Sequence, residues 1–183
     1  MRFAHQPGRT VTETDNLLFT TMTLNPQPLH LDAEFASQTQ HGQILVNSIF
    51  TLGVVVGLSV GDTTLGTTLG NLGFDKTTFP NPVFIGDTIS VTSEVVAKRE
   101  SKSKADRGIV TFEHQGLNQR GEVVCSCMRG AMMMRQPSYW KIAHPASTAC
   151  GVQCISSPAP TKKCSARPWP PRPTAWCWIW KTR

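Results

Sequence analysis

Five histidines are the side chains in this sequence most able to move a proton near neutrality: His5, His30, His41, His114 and His144. Imidazole is the group whose ordinary titration range spans neutral pH. His30 stands apart because it closes the run Asn25-Pro26-Gln27-Pro28-Leu29-His30. Two prolines two apart remove donors and force extended neighbours, so the loop is stiff and presents its histidine in a fixed direction. Such a residue can act as a general base that takes a proton from water and returns it. The bland alternative is a loop histidine hydrogen-bonded for structure. His41 lies on a polar stretch and reads as solvated, His114 reads as a mid-strand surface or interface residue, and His5 and His144 fall in the terminal segments. The sequence has no G-x-S-x-G elbow, P-loop, G-x-G-x-x-G or H-E-x-x-H. The cluster Lys98, Arg99, Lys102, Lys104 and Arg107 could hold phosphates, but Glu100 and Asp106 lie within it, which suits a solvated hairpin better. Met132, Met133 and Met134 read as strand packing.

The elements that must position His30 can be read on both sides of it. Thr12-Glu13-Thr14-Asp15 has capping-box spacing, so a short helix should follow through Leu17, Leu18 and Met22 and end before Asn25. Asp32 can cap a second short helix over residues 33–36. A polar loop over 37–43 then leads into a long apolar helix over about residues 44–60. From residue 65 the period changes. Residues 65–79 hold one strand with a bend, and 88–97 alternate as a one-sided strand entered by Ile85-Gly86-Asp87. Residues 98–107 form a charged connection, 109–117 a strand, Asn118-Gln119-Arg120-Gly121 a turn, and 123–135 a last strand. Helices followed by an antiparallel meander make an α+β domain. No internal repeat is present.

The whole chain has 183 residues and a formal net charge of +6, which first suggests nucleic acid. The distribution removes that suggestion. Residues 1–136 hold 11 Lys/Arg against 12 Asp/Glu, whereas 137–183 hold 7 Lys/Arg and no acid. The basic segment also carries all five Trp, four of the six Cys and eight of the 13 Pro, with no helix or strand period. It reads as an irregular tail to a domain over 1–136, either a genuine basic extension or an out-of-frame sequence. Cys125 and Cys127 share one strand face, and the tail cysteines lack paired zinc spacing. Met1-Arg2 is followed by polar residues instead of a signal-peptide core, so a reducing cytoplasm is expected. Residues 42–61 are uncharged and carry Gly53, Gly57 and Gly61 at four-residue spacing. Gln43, Asn47, Ser48, Thr51 and Ser59 would need partners in hydrocarbon, so a membrane span is not expected. The better reading is a buried helix whose glycines let a sheet approach closely.

Three segments together carry a family resemblance. They are Asn25-Pro26-Gln27-Pro28-Leu29-His30-Leu31-Asp32 followed by Ala36, Gln43-Ile44-Leu45-Val46-Asn47-Ser48 before an apolar helix, and Asn81-Pro82-Val83-Phe84-Ile85-Gly86-Asp87. Over about residues 8–136 the chain resembles the MaoC-like hydratases, which add water to trans-2-enoyl-CoA thioesters or remove it from 3-hydroxyacyl-CoA. The resemblance implies a hot-dog fold, a long central helix wrapped by an antiparallel sheet. It also implies one more strand before Gly8, where this chain looks short. The family motif Asp-x-Asn-Pro-Leu-His keeps its histidine as His30, but its Asp becomes Asn25 and its Asn becomes Gln27. The family's Val-His-Gly at the helix start becomes Val46-Asn47-Ser48. This variant looks like the branch acting on branched dicarboxyl substrates, itaconyl-CoA or mesaconyl-CoA (β-methylmalyl-CoA).

On that resemblance His30 and Asn25 are the catalytic pair, and Gln27, Asn47 and Ser48 contribute to substrate binding. An amide takes no proton at neutral pH, so Asn25 can only orient water and His30 must be the base. Backbone N–H groups around Asn47-Ser48 suit a developing oxyanion. Asp32 reads as a helix cap. No metal or redox cofactor is implied. The partners implied are an acyl-CoA substrate and at least one further copy of the chain, because a lone unit leaves apolar sheet uncovered. Two rivals remain. A hot-dog acyl-CoA thioesterase would need an acid on the central helix, where none is read. A non-catalytic acyl-CoA-binding module is favoured by the missing aspartate. An end product of a damaged gene is a third reading, motivated by both ends of the chain.

Overall fold

In the computed structural model, which describes residues 1–135, the alternating second half builds one antiparallel sheet. Its strands are β1 (Arg2–Thr10), β2 (Thr68–Thr78), β3 (Thr88–Glu100), β4 (Arg107–Leu117) and β5 (Val123–Met134), in the order β1-β3-β4-β5-β2. Three helices accompany it: α1 (Glu13–Met22), α2 (Ala33–Ser37) and α3 (Ser48–Thr63), with a 3₁₀ turn at Pro28–His30. Helix α3 lies against β1, β3, β4 and β5. One long helix held by an antiparallel sheet is the hot-dog fold, α+β in class. The tail over 137–183 lies outside the described residues.

The period of two explains which residues meet the helix. Along β4 Val110, Phe112, His114 and Gly116 are buried, and along β3 Ile89, Val91 and Ser93 are. Val55 of α3 joins Val11, Val46, Val83, Ile89, Val91, Val124 and Cys125 in the main apolar cluster.

Several expectations are corrected. The first strand is present: β1 pairs with β3 at the sheet edge. Pro7 lies inside β1, between the His5 and Arg9 pairings where the register shifts. An edge strand tolerates that missing donor, which hid the strand from a pattern reading. The 98–107 connection is shorter than expected, residues 101–106, since β3 runs to Glu100 and β4 starts at Arg107. Helix α3 begins at Ser48, because Leu45 bridges to Phe84 and the Val46 N–H bonds to Val83 O at 2.9 Å. His114 is fully buried instead of exposed, because it shares the inward face with Phe112. His5 is buried too, as part of β1.

The helix glycines do not receive the sheet. Nothing lies within 4 Å of a Cβ built at Gly53, Gly57 or Gly61, so this stripe faces outward. The close approach is made by a sheet glycine. A Cβ at Gly116 would collide with Val55 Cγ2. Gly116→Ala is therefore expected to overpack the helix–sheet contact and destabilise the fold by about 1–3 kcal/mol. Urea unfolding would read this as a lower midpoint, and an unchanged midpoint would show that α3 lifts without cost.

Candidate active site

The site grows from three short segments that hydrogen bonds tie together. Helix α1 starts with the capping box read from sequence: the Asp15 N–H donates to Thr12 Oγ1 and the Thr12 N–H to Asp15 Oδ2. Arg9 of β1 donates to Asp15 Oδ1 at 2.6 Å, fixing the helix start to the sheet edge. Beyond α1, Asn25 Oδ1 accepts the Gln27 N–H at 3.0 Å. The two prolines then lead into the 3₁₀ turn, with Pro28 as its first residue. The His30 N–H bonds back to Gln27 O at 3.1 Å. Asp32 closes the segment by capping α2, its Oδ1 accepting the Phe35 N–H at 3.0 Å.

The ring of His30 is half-buried, with Nδ1 2.7 Å from Leu45 O. A carbonyl only accepts, so Nδ1 carries the hydrogen and the neutral ring keeps its lone pair on Nε2. The Leu45 N–H returns a bond to Leu29 O at 3.1 Å. The turn that offers His30 is thus laced in both directions to the chain just before α3. No carboxylate hydrogen-bonds to the ring among the described residues.

Helix α3 opens at Asn47, its N-cap. Asn47 is buried, its Oδ1 accepts the Ile49 N–H at 3.0 Å, and its own N–H donates to Asn16 Oδ1 at 2.9 Å. The Asn47 N–H expected to face an oxyanion is therefore engaged, and the Asn47 side chain is a cap. Of the helix-start donors, the Ser48 and Phe50 N–H groups are left without a partner among the described residues. Ser48 is exposed and lines a cleft of about 260 Å³ with Leu45, Val46, Thr51, Val83 and His41. Cleft and His30 share Leu45, which gives one its wall and the other its hydrogen bond. A larger hollow of about 390 Å³ lies beside Arg2, Glu94 and Glu113 on the outer sheet face, remote from His30. Its Arg2–Glu94 ion pair at 2.7 Å is solvent-exposed.

Of the residues singled out from sequence, His30 is joined to Leu45 O and, through Asn16, to the Asn47 N–H, while Ser48 lines the neighbouring cleft. Asn25 and Gln27 precede them on the same loop, Gln27 exposed and Asn25 half-buried, with no hydrogen bond from either side chain to the His30 ring. His41 is half-buried at the cleft, edge-on to Phe84 at 6.2 Å, and is not the solvated residue expected. Asn16 was missed altogether. An asparagine inside a short helix carries no sequence signal for a bond made 14 residues away, let alone 31. The central helix also carries an acid, Asp62, contrary to expectation. It sits in the last turn, about 21 Å along the helix from Ser48 at 1.5 Å per residue. It bonds His5 there and cannot serve a water at the entrance. Among the described residues no three His, Cys, Asp or Glu side chains converge to hold a metal ion, and no helix is long and apolar enough to cross a membrane.

Comparison with known proteins agrees with this fold. The family model of the MaoC like domain matches residues 1–116. Mesaconyl-CoA hydratase of Haloarcula marismortui is 35% identical over 135 residues, 73% of this chain and 37% of its own length. Beta-methylmalyl-CoA dehydratase of Chloroflexus aurantiacus is 31% identical over 132 residues, 72% of this chain and 37% of its own length. The chain thus spans little more than a third of these curated relatives. The crystal structure of a MaoC-like dehydratase from Rhodospirillum rubrum superposes with a TM-score of 0.65 at 31% identity, covering 75% of this chain and 92% of that one.

Proposed function

The chain belongs to the MaoC like domain family, and from that premise we propose that it is a hydro-lyase acting on trans-2-enoyl-CoA thioesters. The acyl group in this reading is a branched dicarboxyl one, mesaconyl or itaconyl. One observation supports the reading: His30 Nδ1 is engaged by Leu45 O, two residues before the α3 cap, which leaves Nε2 as the basic nitrogen of the neutral ring. In the forward direction Nε2 takes a proton from water as the oxygen bonds to C3 of the enoyl group. The C2–C3 π electrons move toward the thioester, whose carbonyl becomes enolate-like and accepts the Ser48 N–H. His30 then delivers its proton to C2. Dehydration is the same path reversed. Proton transfer of this kind supplies about 10²–10⁴-fold, and a preorganised amide donor about 10²–10³-fold. The substrate choice is supported by the relatives named for mesaconyl-CoA and beta-methylmalyl-CoA. Exposed Leu69, Leu72 and Phe74 along the edge strand β2 support a homodimer as the working form.

Incubating the full chain with mesaconyl-CoA and with itaconyl-CoA tests the reading. The expected product is heavier by one water; unchanged thioester with both, from folded protein, would reject it. Release of free CoA would instead identify a thioesterase. The non-catalytic reading draws on Asn25, which stands where the family has Asp and cannot take a proton. Asn25→Asp is expected to keep hydration within about tenfold, since a carboxylate also orients water and adds a second proton acceptor. Total loss in a folded Asn25→Asp protein, followed by mass detection of hydrated product, would show that the Asn25 amide is itself required.

A further inference from the structure

We infer that Asn16 is the positioning residue of this site, setting the distance between the His30 base and the Ser48 amide donor. The inference rests on the hydro-lyase reading above. Asn16 sits on α1 and is 2% exposed. Its Nδ2 donates to the His30 backbone carbonyl at 3.0 Å and its Oδ1 accepts the Asn47 N–H at 2.9 Å. One planar amide therefore grips both halves of the site, the loop that offers the imidazole and the first residue of the helix entrance.

The residue type follows from that double task. A primary amide presents a donor and an acceptor side by side in one rigid plane. Aspartate has only acceptors, so it would hold the Asn47 N–H and set a carboxylate against the His30 carbonyl. Alanine would leave both backbone groups buried without partners. The grip also selects the oxyanion donor. With the Asn47 N–H engaged, and that of Ile49 held by Asn47 Oδ1, the Ser48 and Phe50 N–H groups remain, and of these two residues Ser48 lines the cleft. Asn16 itself touches no reacting atom in this scheme. It acts through His30 and Ser48, and misplacement by about 1 Å at such a site costs about a hundredfold in rate.

The test compares the wild-type chain with Asn16→Asp and Asn16→Ala, measuring kcat and KM for mesaconyl-CoA hydration across pH, with circular dichroism as the folding control. Both variants are expected to lose about tenfold to a hundredfold in kcat per folded molecule while KM changes by less than about threefold, the folded fraction being read from circular dichroism because unfolded protein alone would lower kcat at constant KM. In Asn16→Asp the acid side of the kcat profile should also move to higher pH, because a carboxylate beside His30 favours the imidazolium; Asn16→Ala should leave it in place. An active wild type with both variants at full kcat would overturn the inference alone. An inactive wild type would overturn the hydro-lyase reading and the inference with it. Loss of folding in both variants would assign Asn16 to the fold and also reject the inference.

Discussion

His30→Ala is expected to lower kcat/KM for hydration by about 10²–10⁴-fold while leaving the fold in place. The stability half of that expectation follows from how little the ring holds. Its one hydrogen bond in the structure runs from Nδ1 to Leu45 O, and the site is half-buried, so water can replace it. Losing such a bond costs about 1 kcal/mol. The main-chain bonds of the turn, His30 N–H to Gln27 O and Leu31 N–H to Pro28 O, do not depend on the side chain. The catalytic half assigns the proton to His30 and not to His41, the other imidazole at the cleft, because the proline turn and Leu45 O fix the His30 ring. Asn25 cannot accept a proton, Asp32 is committed to capping α2, and Asp62 lies at the far end of α3. His30→Gln separates the two roles, because its amide can still donate to Leu45 O but takes no proton. Both variants should melt near the wild-type temperature and both should be inactive when the water adduct is measured by mass. Full turnover in either folded variant would mean that another group moves the proton.

The parts of this site that were legible in the sequence are those encoded locally. The two prolines before His30 fix a stiff turn, and the Thr12–Asp15 and Asp32 caps need only three-residue spacing. The meander was legible because alternation has a period of two whatever it packs against. What the sequence hid is set by tertiary partners. The start of α3 was misplaced because Leu45 and Val46 are apolar like the helix, and only their pairing with Phe84 and Val83 makes them extended. The glycine stripe looked like a seat for the sheet, yet Gly116 opposite Val55 plays that part. One apolar helix face cannot be told from another when both are rich in valine and glycine. β1 was hidden by Pro7 and by its edge position, and the role of Asn16 is invisible because its partners come from two distant segments.

Acid should unfold this protein through a buried chain of polar groups that the proposed chemistry does not use. Asp62 Oδ2 lies 2.8 Å from His5 Nδ1, His5 Nε2 lies 2.8 Å from Ser93 Oγ, and Ser93 Oγ lies 2.6 Å from His114 Nδ1. An ionised carboxylate only accepts, and with a neutral His5 ring that fixes every later step. His5 donates from Nδ1, Ser93 donates to His5 Nε2, and His114 donates from Nδ1 to Ser93. His114 Nε2 is left as a lone pair without a partner, fully buried, with Arg129 nearby at 4% exposure. Adding a proton at Nε2 would bury a second cation beside that guanidinium, whose Nε and Nη1 also lack partners among the described residues. Burial first, then Arg129 and His5, push the His114 imidazole down to about 4. In the unfolded chain an imidazole titrates near 6.5. Between those values the unfolded state binds a proton that the folded state refuses, so stability is complete above about pH 6.5 and falls as pH drops toward 4. The loss over that window is about 3 kcal/mol, and below it His114 contributes no further change. Asp15, held at about 2 by Arg9 and Thr12, loses its contribution as pH falls from about 4 toward 2, so it adds only a small part of the loss at pH 4. Urea unfolding at about pH 7 and about pH 4 should show that loss in the wild type. His114→Gln should flatten it, since glutamine cannot take up the proton in either state. Arg129→Met should shrink it by removing the neighbouring cation, and should raise stability at neutral pH as well, since an unpaired buried charge is replaced by an apolar side chain. Equal unfolding free energies for the wild type at the two pH values, or an undiminished loss in His114→Gln, would place the acid sensitivity elsewhere.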